Sequence, residues 1–256
     1  MIDARAIVSP RARLDADVQV GPYAIIGDDV EIGRGTRVEA HAVIKGPTVI
    51  GEDNRIFQFT SLGDDPQDKK YAGEPTRLVI GNRNTIREYV TINRGTVQDL
   101  GETRIGDDNW IMAYVHIAHD CVVGNQTIFA NAATLAGHVH VGDYAFLGGF
   151  TGAHQFCRIG PHALISMYSY IKKDVPAYVL CDGQPAEPRG INVEGLKRRG
   201  FTAEQQRNIR EAYRLVYRQG LKLEEAVALL AQRTGEQPEL VPMLESLRGS
   251  ARGLIR

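Results

Sequence analysis

Residues 20–50 read VGPYAIIGDDVEIGRGTRVEAHAVIKGPTVI, and in this stretch every sixth residue from Val20 to Ile50 is aliphatic. The same step of six runs from Ile2 to Leu62, resumes over 80–92, and continues one residue out of phase over 105–171. A period of six fits neither an α-helix nor a hairpin meander. Three short strands joined by corners form one coil of a triangular parallel β-helix, of about 18 residues. The sequence therefore predicts such a solenoid, with the aliphatic residues pointing inward.

Glycine supports the same interpretation. The chain of 256 residues contains 27 glycines, and eleven of them directly follow an aliphatic residue of the repeat. These eleven are at positions 21, 27, 33, 51, 63, 81, 106, 124, 142, 148 and 160. A corner between short strands requires either unusual φ and ψ angles or room for the backbone of the next coil. The pattern resembles the hexapeptide-repeat family, whose members form left-handed parallel β-helices and are usually homotrimers.

Composition excludes several classes of protein. The hydrophobic content of 43% excludes a disordered chain, and the formal net charge of −1 gives no sign of nucleic-acid binding. No apolar run approaches the roughly 18 residues of a membrane span, so we expect no integral membrane segment. The first residues lack the basic and apolar segments of a signal peptide, and the three cysteines have no paired spacing. These features predict a protein of the reducing cytoplasm.

The breaks in the repeat divide the chain. We assign residues 1–186 to the β-helix, with inserted loops near 63–79 and 93–104, and residues 187–256 to a C-terminal α-helical domain. Insertions in a solenoid often carry the binding face, although these two could equally be plain surface loops. In the C-terminal domain, Thr202 and Gln205 form a capping-box pattern before a helix that reaches Tyr217. Further helices are predicted over 223–231 and 239–247.

Five of the seven histidines lie between positions 116 and 154. His119 precedes Asp120, and an adjacent carboxylate can hold a histidine in one tautomer and stabilise its protonated form. A coil of about 18 residues places Gly137 against His119 and His138 against Asp120. A general base would then lie beside a backbone N–H able to stabilise an oxyanion. Scattered surface histidines are the alternative that the residues alone leave open.

At these residues the resemblance becomes narrower. The segments that carry it are IAHDC (117–121), TLAGH (134–138), HQFC (154–157), KYAGEPTR (70–77), NVEGLKRRGF (192–201) and RGLIR (252–256). They are similar to the UDP-N-acetylglucosamine acyltransferases, and the similarity extends over the whole chain, including the helical tail.

The resemblance implies transfer of an (R)-3-hydroxyacyl group from acyl carrier protein to the 3-hydroxyl of UDP-N-acetylglucosamine, the first step of lipid A biosynthesis, without a cofactor or metal. It implies that His119 is the general base, that Asp120 orients it, and that the N–H of Gly137 holds the oxyanion. The substrate-binding positions that it implies are Asp68, Lys70, Asn93, His116, His138, His154, Gln155, Asn192, Glu194, Arg198 and Arg199.

The side-chain chemistry of three of these positions bears on phosphate binding. Asn93 stands where relatives commonly have histidine, and because an amide cannot become cationic we expect it to attract phosphate more weakly. Arg198 and Arg199 suit a diphosphate, since the guanidinium fork matches its oxygens. The run Lys197 to Gly200 is equally typical of a helix C-terminus, and both interpretations can hold together.

Met167 bears on the acyl chain. It stands where relatives that use longer chains carry glycine, and one coil of about 18 residues places it over Gly149. A side chain there would block the far end of an acyl groove, which favours a shorter, 3-hydroxydecanoyl-type donor. Simple packing of Met167 is the alternative.

Three other functions make different demands on the sequence. Some hexapeptide β-helices are zinc hydro-lyases with three histidines, for which His116, His119 and His138 could be the set. A non-catalytic β-helix would show flat ladders of one residue type, and the sequence shows none. Acylation of a 3-amino UDP-sugar also remains compatible with the sequence.

Overall fold

The computed structural model describes all residues from 1 to 256 and is dominated by very short strands. They are β1 (Ile7–Val8), β2 (Arg13–Leu14), β3 (Gln19–Val20), β4 (Ile25–Ile26), β5 (Val30–Ile32), β6 (Arg37–Val38), β7 (Val43–Ile44), β8 (Thr48–Ile50), β9 (Arg55–Ile56), β10 (Ser61–Asp64), β11 (Arg77–Ile80), β12 (Thr85–Ile86), β13 (Thr91–Asn93), β14 (Glu102–Ile105), β15 (Trp110–Ile111), β16 (His116–Ile117), β17 (Val122–Val123), β18 (Ile128–Phe129), β19 (Thr134–Leu135), β20 (His140–Val141), β21 (Phe146–Leu147), β22 (Gly152–Ala153), β23 (Arg158–Ile159), β24 (Leu164–Ile165), β25 (Tyr170–Ile171), β26 (Val179–Asp182) and β27 (Glu187–Ile191).

From β1 to β25, each strand pairs in parallel with the strand three places later in the chain. These pairs build three sheets around one axis. Sheet 1 has nine strands, from β1 to β25; sheet 2 has eight, from β2 to β23; sheet 3 has ten, from β3 to β27. Registers such as Ile26 on Ile44 and Leu135 on Ala153 place each repeat residue directly over its equivalent one coil away. The predicted fold, a left-handed parallel β-helix with a C-terminal helical domain, is confirmed.

The core lies inside the triangle and is built from the repeat positions. From Val20 to Ile171 every repeat residue is buried. Ile2, Val8 and Leu14 are the exceptions, because the first coil has no coil stacked beneath it. Burying one aliphatic side chain contributes roughly 1.5–3 kcal/mol, so the ladder of stacked aliphatic residues supplies most of the solenoid's stability.

Ten of the eleven repeat glycines are required for close approach and not for their backbone angles. Only Gly63 among them has a positive φ, of 72°. A Cβ at any of the eleven would lie within 3.3 Å of an atom of the neighbouring coil, and at Gly148 it would lie 2.5 Å from the Met167 nitrogen. The left-handed conformation occurs instead two residues after the glycine position of the repeat, at residues such as Asp120 and His138. Of the two explanations expected from the sequence, the steric one is therefore correct.

Both inserted segments emerge at the same edge of the triangle. One joins β10 to β11 and the other joins β13 to β14, so each leaves sheet 1 and enters sheet 2. We call this edge the loop corner; in later coils it contains Asp120, His138 and Phe156. The edge between sheets 2 and 3 is the cap corner, which contains Gln126, Tyr144 and His162.

The C-terminal region begins with an antiparallel hairpin of β26 and β27 that extends sheet 3. The boundary that the sequence places after residue 186 falls inside this hairpin, between β26 and β27. The helices are α1 (Val193–Arg198), α2 (Ala203–Tyr217), α3 (Leu223–Arg233) and α4 (Val241–Arg248). A 3-10 turn (Pro238–Leu240) precedes α4, so the predicted helix over 239–247 begins later, at Val241.

The capping box of α2 is present in the structure: the Thr202 hydroxyl accepts from the Gln205 N–H, and the Gln205 side chain accepts from the Thr202 N–H. The inward face of α2 is buried, with Ile209, Ala212 and Val216 facing the core. None of the helices combines the length and hydropathy that crossing a bilayer requires.

Candidate active site

An open cleft of about 870 Å³ lies at the loop corner, between the two inserted segments and the later coils. The residues that line it are Gln67, Asp68, Lys69, Lys70, Gln98, Asp99, Ala118, His119, His138, Gln155 and Phe156. The structure thus brings together Asp68, Lys70, His119, His138 and Gln155 of the residues predicted from sequence.

His119 and Asp120 form a bonded pair in this cleft. Nδ1 of His119 lies 2.8 Å from Oδ2 of Asp120. Because the carboxylate accepts the Nδ1 proton, the lone pair of the neutral ring is left on Nε2. The arrangement is that of a general base with an orienting carboxylate.

Asp120 is held by more than the histidine. Its side chain is 0% exposed and also accepts bonds from the Thr96 backbone N–H (2.9 Å) and the Thr96 hydroxyl (2.6 Å). Burial alone would raise the pKa of the Asp120 carboxyl, but the hydrogen bonds from His119 and Thr96 outweigh burial and hold that pKa below its usual range. The carboxylate is therefore ionised and fixed, which is what orienting a base requires.

Gly137 lies one coil from His119, directly against its ring. A Cβ at residue 137 would lie 2.5 Å from Cε1 and 2.7 Å from Nε2 of His119. The backbone N–H of Gly137 has no hydrogen-bond partner within the chain, whereas its carbonyl accepts from Phe156. A free donor beside the basic nitrogen is the arrangement that an oxyanion needs.

His138 is the second histidine of the cleft. Its Nδ1 lies 2.8 Å from Oδ2 of Asp99, and its ring stacks on Phe156 with centroids 4.3 Å apart. The edge of the His138 ring faces His119, with centroids 5.0 Å apart. The cleft therefore contains two histidine–carboxylate pairs side by side.

The histidines of the zinc hydro-lyase alternative do not converge. His116 bonds the Thr91 hydroxyl through Nδ1 (2.7 Å) and does not line the cleft. Burial, with a smaller contribution from His119, lowers the pKa of His116. The group that could converge on an ion is His119, Asp120 and His138, and in it both Nδ1 atoms are already bonded to carboxylates.

Two further predicted positions lie outside the cleft lining. Asn93 is 5% exposed, and its Nδ2 donates to the carbonyl of Asp65 (2.8 Å), so it ties one inserted loop to the other. His154 points its Nδ1 toward the carbonyl of Gln155 (3.2 Å).

The predicted nucleotide segment lies at the other edge, the cap corner. Asn192 caps α1 by accepting from the Gly195 N–H (2.9 Å), and Glu194 pairs with Lys197. Arg199 bonds Gln126 (2.8 Å) and lies over the ring of Tyr144, with Cζ 4.5 Å from its centroid. Arg198 is the last residue of α1 and is exposed. One chain therefore does not bring these four residues to its own cleft.

Met167 lies one coil from Gly149, and the N–H of the next residue, Tyr168, donates to the Gly149 carbonyl at 2.8 Å. The Met167 side chain is 57% exposed on a single chain. A Cβ at Gly149 would contact the carbonyl of Asn131 at 3.3 Å, whereas a Cβ at the neighbouring Gly148 would lie 2.5 Å from the Met167 nitrogen.

Three groups that build the cleft were not predicted from sequence. They are Thr96, which bonds Asp120; Asp99, which bonds His138; and Phe156, which stacks on His138. Phe156 could have been found, because it follows His138 by one coil of 18 residues. Thr96 and Asp99 belong to an inserted segment, where the repeat carries no information on position.

Comparison with known proteins identifies the family of this chain. A family model described as UDP N-acetylglucosamine O-acyltransferase, domain 2, matches residues 174–255, and one described as bacterial transferase hexapeptide matches 11–46 and 102–137. The acyl-carrier-protein-dependent UDP-N-acetylglucosamine O-acyltransferase of Thiobacillus denitrificans is 59% identical, over 100% of this chain and 99% of the relative. That of Stutzerimonas stutzeri is 57% identical over the same shares.

Solved structures show the same similarity. The UDP-N-acetylglucosamine acyltransferase of Francisella novicida superposes with a TM-score of 0.99 at 43% identity, covering 100% of this chain and 94% of the other. That of Moraxella catarrhalis gives 0.98 at 45% identity, covering 100% and 99%. The chain therefore belongs to the UDP-N-acetylglucosamine O-acyltransferase family.

Proposed function

We propose that this enzyme transfers an (R)-3-hydroxyacyl group from acyl carrier protein to the 3-hydroxyl of UDP-N-acetylglucosamine, the first step of lipid A biosynthesis, with His119 as general base. The observation that carries the proposal is the free Nε2 of His119 beside the unpartnered N–H of Gly137.

The chemical steps follow from these positions. Nε2 of His119 removes the proton of the sugar hydroxyl while the hydroxyl oxygen attacks the thioester carbonyl. The imidazolium that forms is stabilised by Asp120. The carbonyl oxygen becomes an oxyanion that accepts the N–H of Gly137. Collapse of this intermediate breaks the carbon–sulfur bond, and the leaving thiolate accepts from His119 the proton that came from the sugar hydroxyl. An ester and a free carrier thiol are the products.

The first inserted loop supplies positive charge for the phosphates of the acceptor. Lys69 and Lys70 bring two cations to the cleft, and the Lys70 N–H donates to the Asp68 carboxylate (3.0 Å), which fixes that turn. We assign Asp68, Lys70, His138 and Gln155 to binding of the sugar and phosphate region. Asn93, His116 and His154 are also assigned to substrate binding in this proposal, and all three lie outside the lining of the cleft in a single chain.

A homotrimer completes the site in this proposal. Asn192, Glu194, Arg198 and Arg199 lie at the cap corner, while His119 lies at the loop corner. A nucleotide can contact both groups only if a second subunit presents its cap corner to the loop corner of the first. We therefore assign catalysis to residues 1–186 and nucleotide recognition in part to residues 187–256 of a neighbouring subunit.

Chain length and location are also part of the proposal. Met167 over Gly149 favours a donor of the 3-hydroxydecanoyl class, since a protruding side chain shortens a groove. The three cysteines are free and buried, which fits the reducing cytoplasm.

The experiment is to incubate the purified protein with UDP-N-acetylglucosamine and a series of 3-hydroxyacyl carrier proteins, and to analyse the nucleotide product by mass. We expect one O-acylated product, most rapidly from the 3-hydroxydecanoyl donor, that mild base hydrolyses. A base-stable amide obtained only with a 3-amino UDP-sugar, or no acyl transfer to either acceptor, would overturn the proposal.

A further inference from the structure

Asp99 is the cleft carboxylate that the mechanism above does not use. It lies in the segment between β13 and β14, and its Oδ2 accepts from Nδ1 of His138 at 2.8 Å. The His138 side chain is nearly buried, whereas Asp99 is about one-third exposed at the cleft wall. No other carboxylate bonds His138, because Oδ2 of Asp120 is 3.9 Å away and is already bonded to His119 and Thr96.

The position of Asp99 is set by the backbone of its own segment. The N–H groups of Asp99 and Gly101 both donate to the carbonyl of Thr96, at 3.4 and 3.1 Å, which closes a tight turn. At the base of the turn, Gly95 packs so closely on Glu102 that a Cβ would lie 2.3 Å from its nitrogen. The segment that presents Asp99 to His138 is the same one that presents Thr96 to Asp120.

The ring of His138 is restrained on its other sides. Phe156 stacks on one face with an interplanar angle of 8°, and the ring of His119 meets it edge-on at 88°. These contacts fix the plane of the imidazole but not its protonation. Which nitrogen carries the proton is decided by the hydrogen bond that the ring makes, and here that bond is to Asp99.

We propose that Asp99 is a positioning residue that holds His138 as the Nδ1–H tautomer, so that its Nε2 accepts a hydrogen bond from a hydroxyl of the bound substrate. This inference rests on the function proposed above. The hydroxyl belongs either to the acyl donor or to the sugar, and the chemistry is the same. Without Asp99, Nδ1 of His138 has no bonded carboxylate, because Oδ2 of Asp120 already accepts from His119 and Thr96, and the preference for the Nδ1–H tautomer is lost.

The test uses Asp99→Leu, which removes the acceptor, and Asp99→Asn, which keeps an oxygen able to accept from Nδ1. Leu100→Ala is the matched control, because Leu100 is an exposed neighbour in the same turn. Nitrogen-15 NMR of histidine-labelled full-length protein reports the His138 tautomer directly, and steady-state kinetics report KM and kcat for each substrate.

We expect the wild type, Asp99→Asn and Leu100→Ala to show His138 protonated at Nδ1, and Asp99→Leu to lose that preference. Loss of a charge-assisted hydrogen bond weakens binding roughly tenfold. We therefore expect KM to rise about tenfold in Asp99→Leu, with kcat changed less. The substrate whose KM changes identifies the hydroxyl. If the acyl donor supplies it, a donor that lacks the 3-hydroxyl has the same KM with Asp99→Leu as with the wild type. If the sugar supplies it, the KM for UDP-N-acetylglucosamine rises in Asp99→Leu.

An unchanged tautomer in Asp99→Leu, or a changed tautomer with unchanged KM for both substrates, would overturn the inference. Failure of the proposed function is distinguishable, because it would abolish transfer in the wild type while leaving the tautomer measurable.

Discussion

The Cα of Gly137 lies so close to the imidazole of His119 that a single added methyl group would be 2.5 Å from Cε1 of the ring. The base and the oxyanion donor are thus in direct contact across one coil of the solenoid. Any side chain at residue 137 must displace the histidine that the mechanism depends on.

Gly137→Ala is therefore expected to lower kcat by about 100-fold, because misplacing a catalytic group by about an ångström has an effect of that size. The backbone N–H is retained in this variant, so the loss reports the position of His119. Gly152→Ala is the matched control, since a Cβ there meets the Tyr170 ring at an ordinary 3.7 Å. Equal kcat in both variants would show that the contact does not constrain the base.

Replacing Asp120 with asparagine tests the orienting carboxylate. The buried carboxylate accepts from the Thr96 N–H, the Thr96 hydroxyl and His119, whereas an amide offers one oxygen and adds two donors. We expect a loss of about 1–3 kcal/mol in the free energy of unfolding and a large fall in kcat. Chemical denaturation and steady-state kinetics measure the two effects, and an unchanged value of either would contradict this assignment.

The solenoid could be predicted from the sequence because the six-residue repeat of aliphatic residues marks each inward-pointing repeat position. Every residue of the six-residue step from Val20 to Ile171 is buried, and three such steps place Gly137 against His119. Thr96 and Asp99 could not be found in this way, because their segment departs from the repeat and its path depends on backbone contacts such as Gly95 against Glu102.

The nucleotide segment shows a second limit of sequence reasoning. The residue pattern marks Arg198 and Arg199 as suited to phosphates, but it does not say which edge of the solenoid carries them. That is decided by tertiary contacts of Arg199 with Gln126 and Tyr144, which are far from it in sequence.

Met167→Gly tests the proposed limit on acyl length. Removing the Met167 side chain frees the volume that it occupies at the far end of the proposed acyl groove. The variant is therefore expected to accept donors at least two methylenes longer. Each newly buried methylene contributes roughly 0.8 kcal/mol, which is about fourfold in kcat/KM. Competition between donors of graded length provides the measurement. An unchanged length preference would mean that Met167 only packs.

His162 is expected to make the protein sensitive to acid. Burial, with a smaller contribution from Arg199, lowers the pKa of His162 from 6.5 to about 4. The unfolded chain then binds a proton near pH 6.5 that the folded chain does not bind until about pH 4, so stability falls as the pH decreases through this window.

His162→Phe preserves the aromatic stack with Tyr144 and Tyr178 and removes the titrating group. Thermal unfolding between pH 7 and 4 should show a smaller decrease in Tm for the variant than for the wild type. Parallel Tm curves for the two proteins would contradict the assignment.

The central claim is that Nε2 of His119 removes the proton of the acceptor hydroxyl. Its most direct test is the single-turnover rate of acyl transfer from a 3-hydroxyacyl carrier protein to UDP-N-acetylglucosamine, measured for the wild type and for His119→Ala together with binding of the UDP-sugar. General-base catalysis contributes about 10²–10⁴-fold, so we predict a fall of at least 100-fold in rate with UDP-sugar affinity and folding unchanged. Transfer by His119→Ala at the wild-type rate would contradict the account.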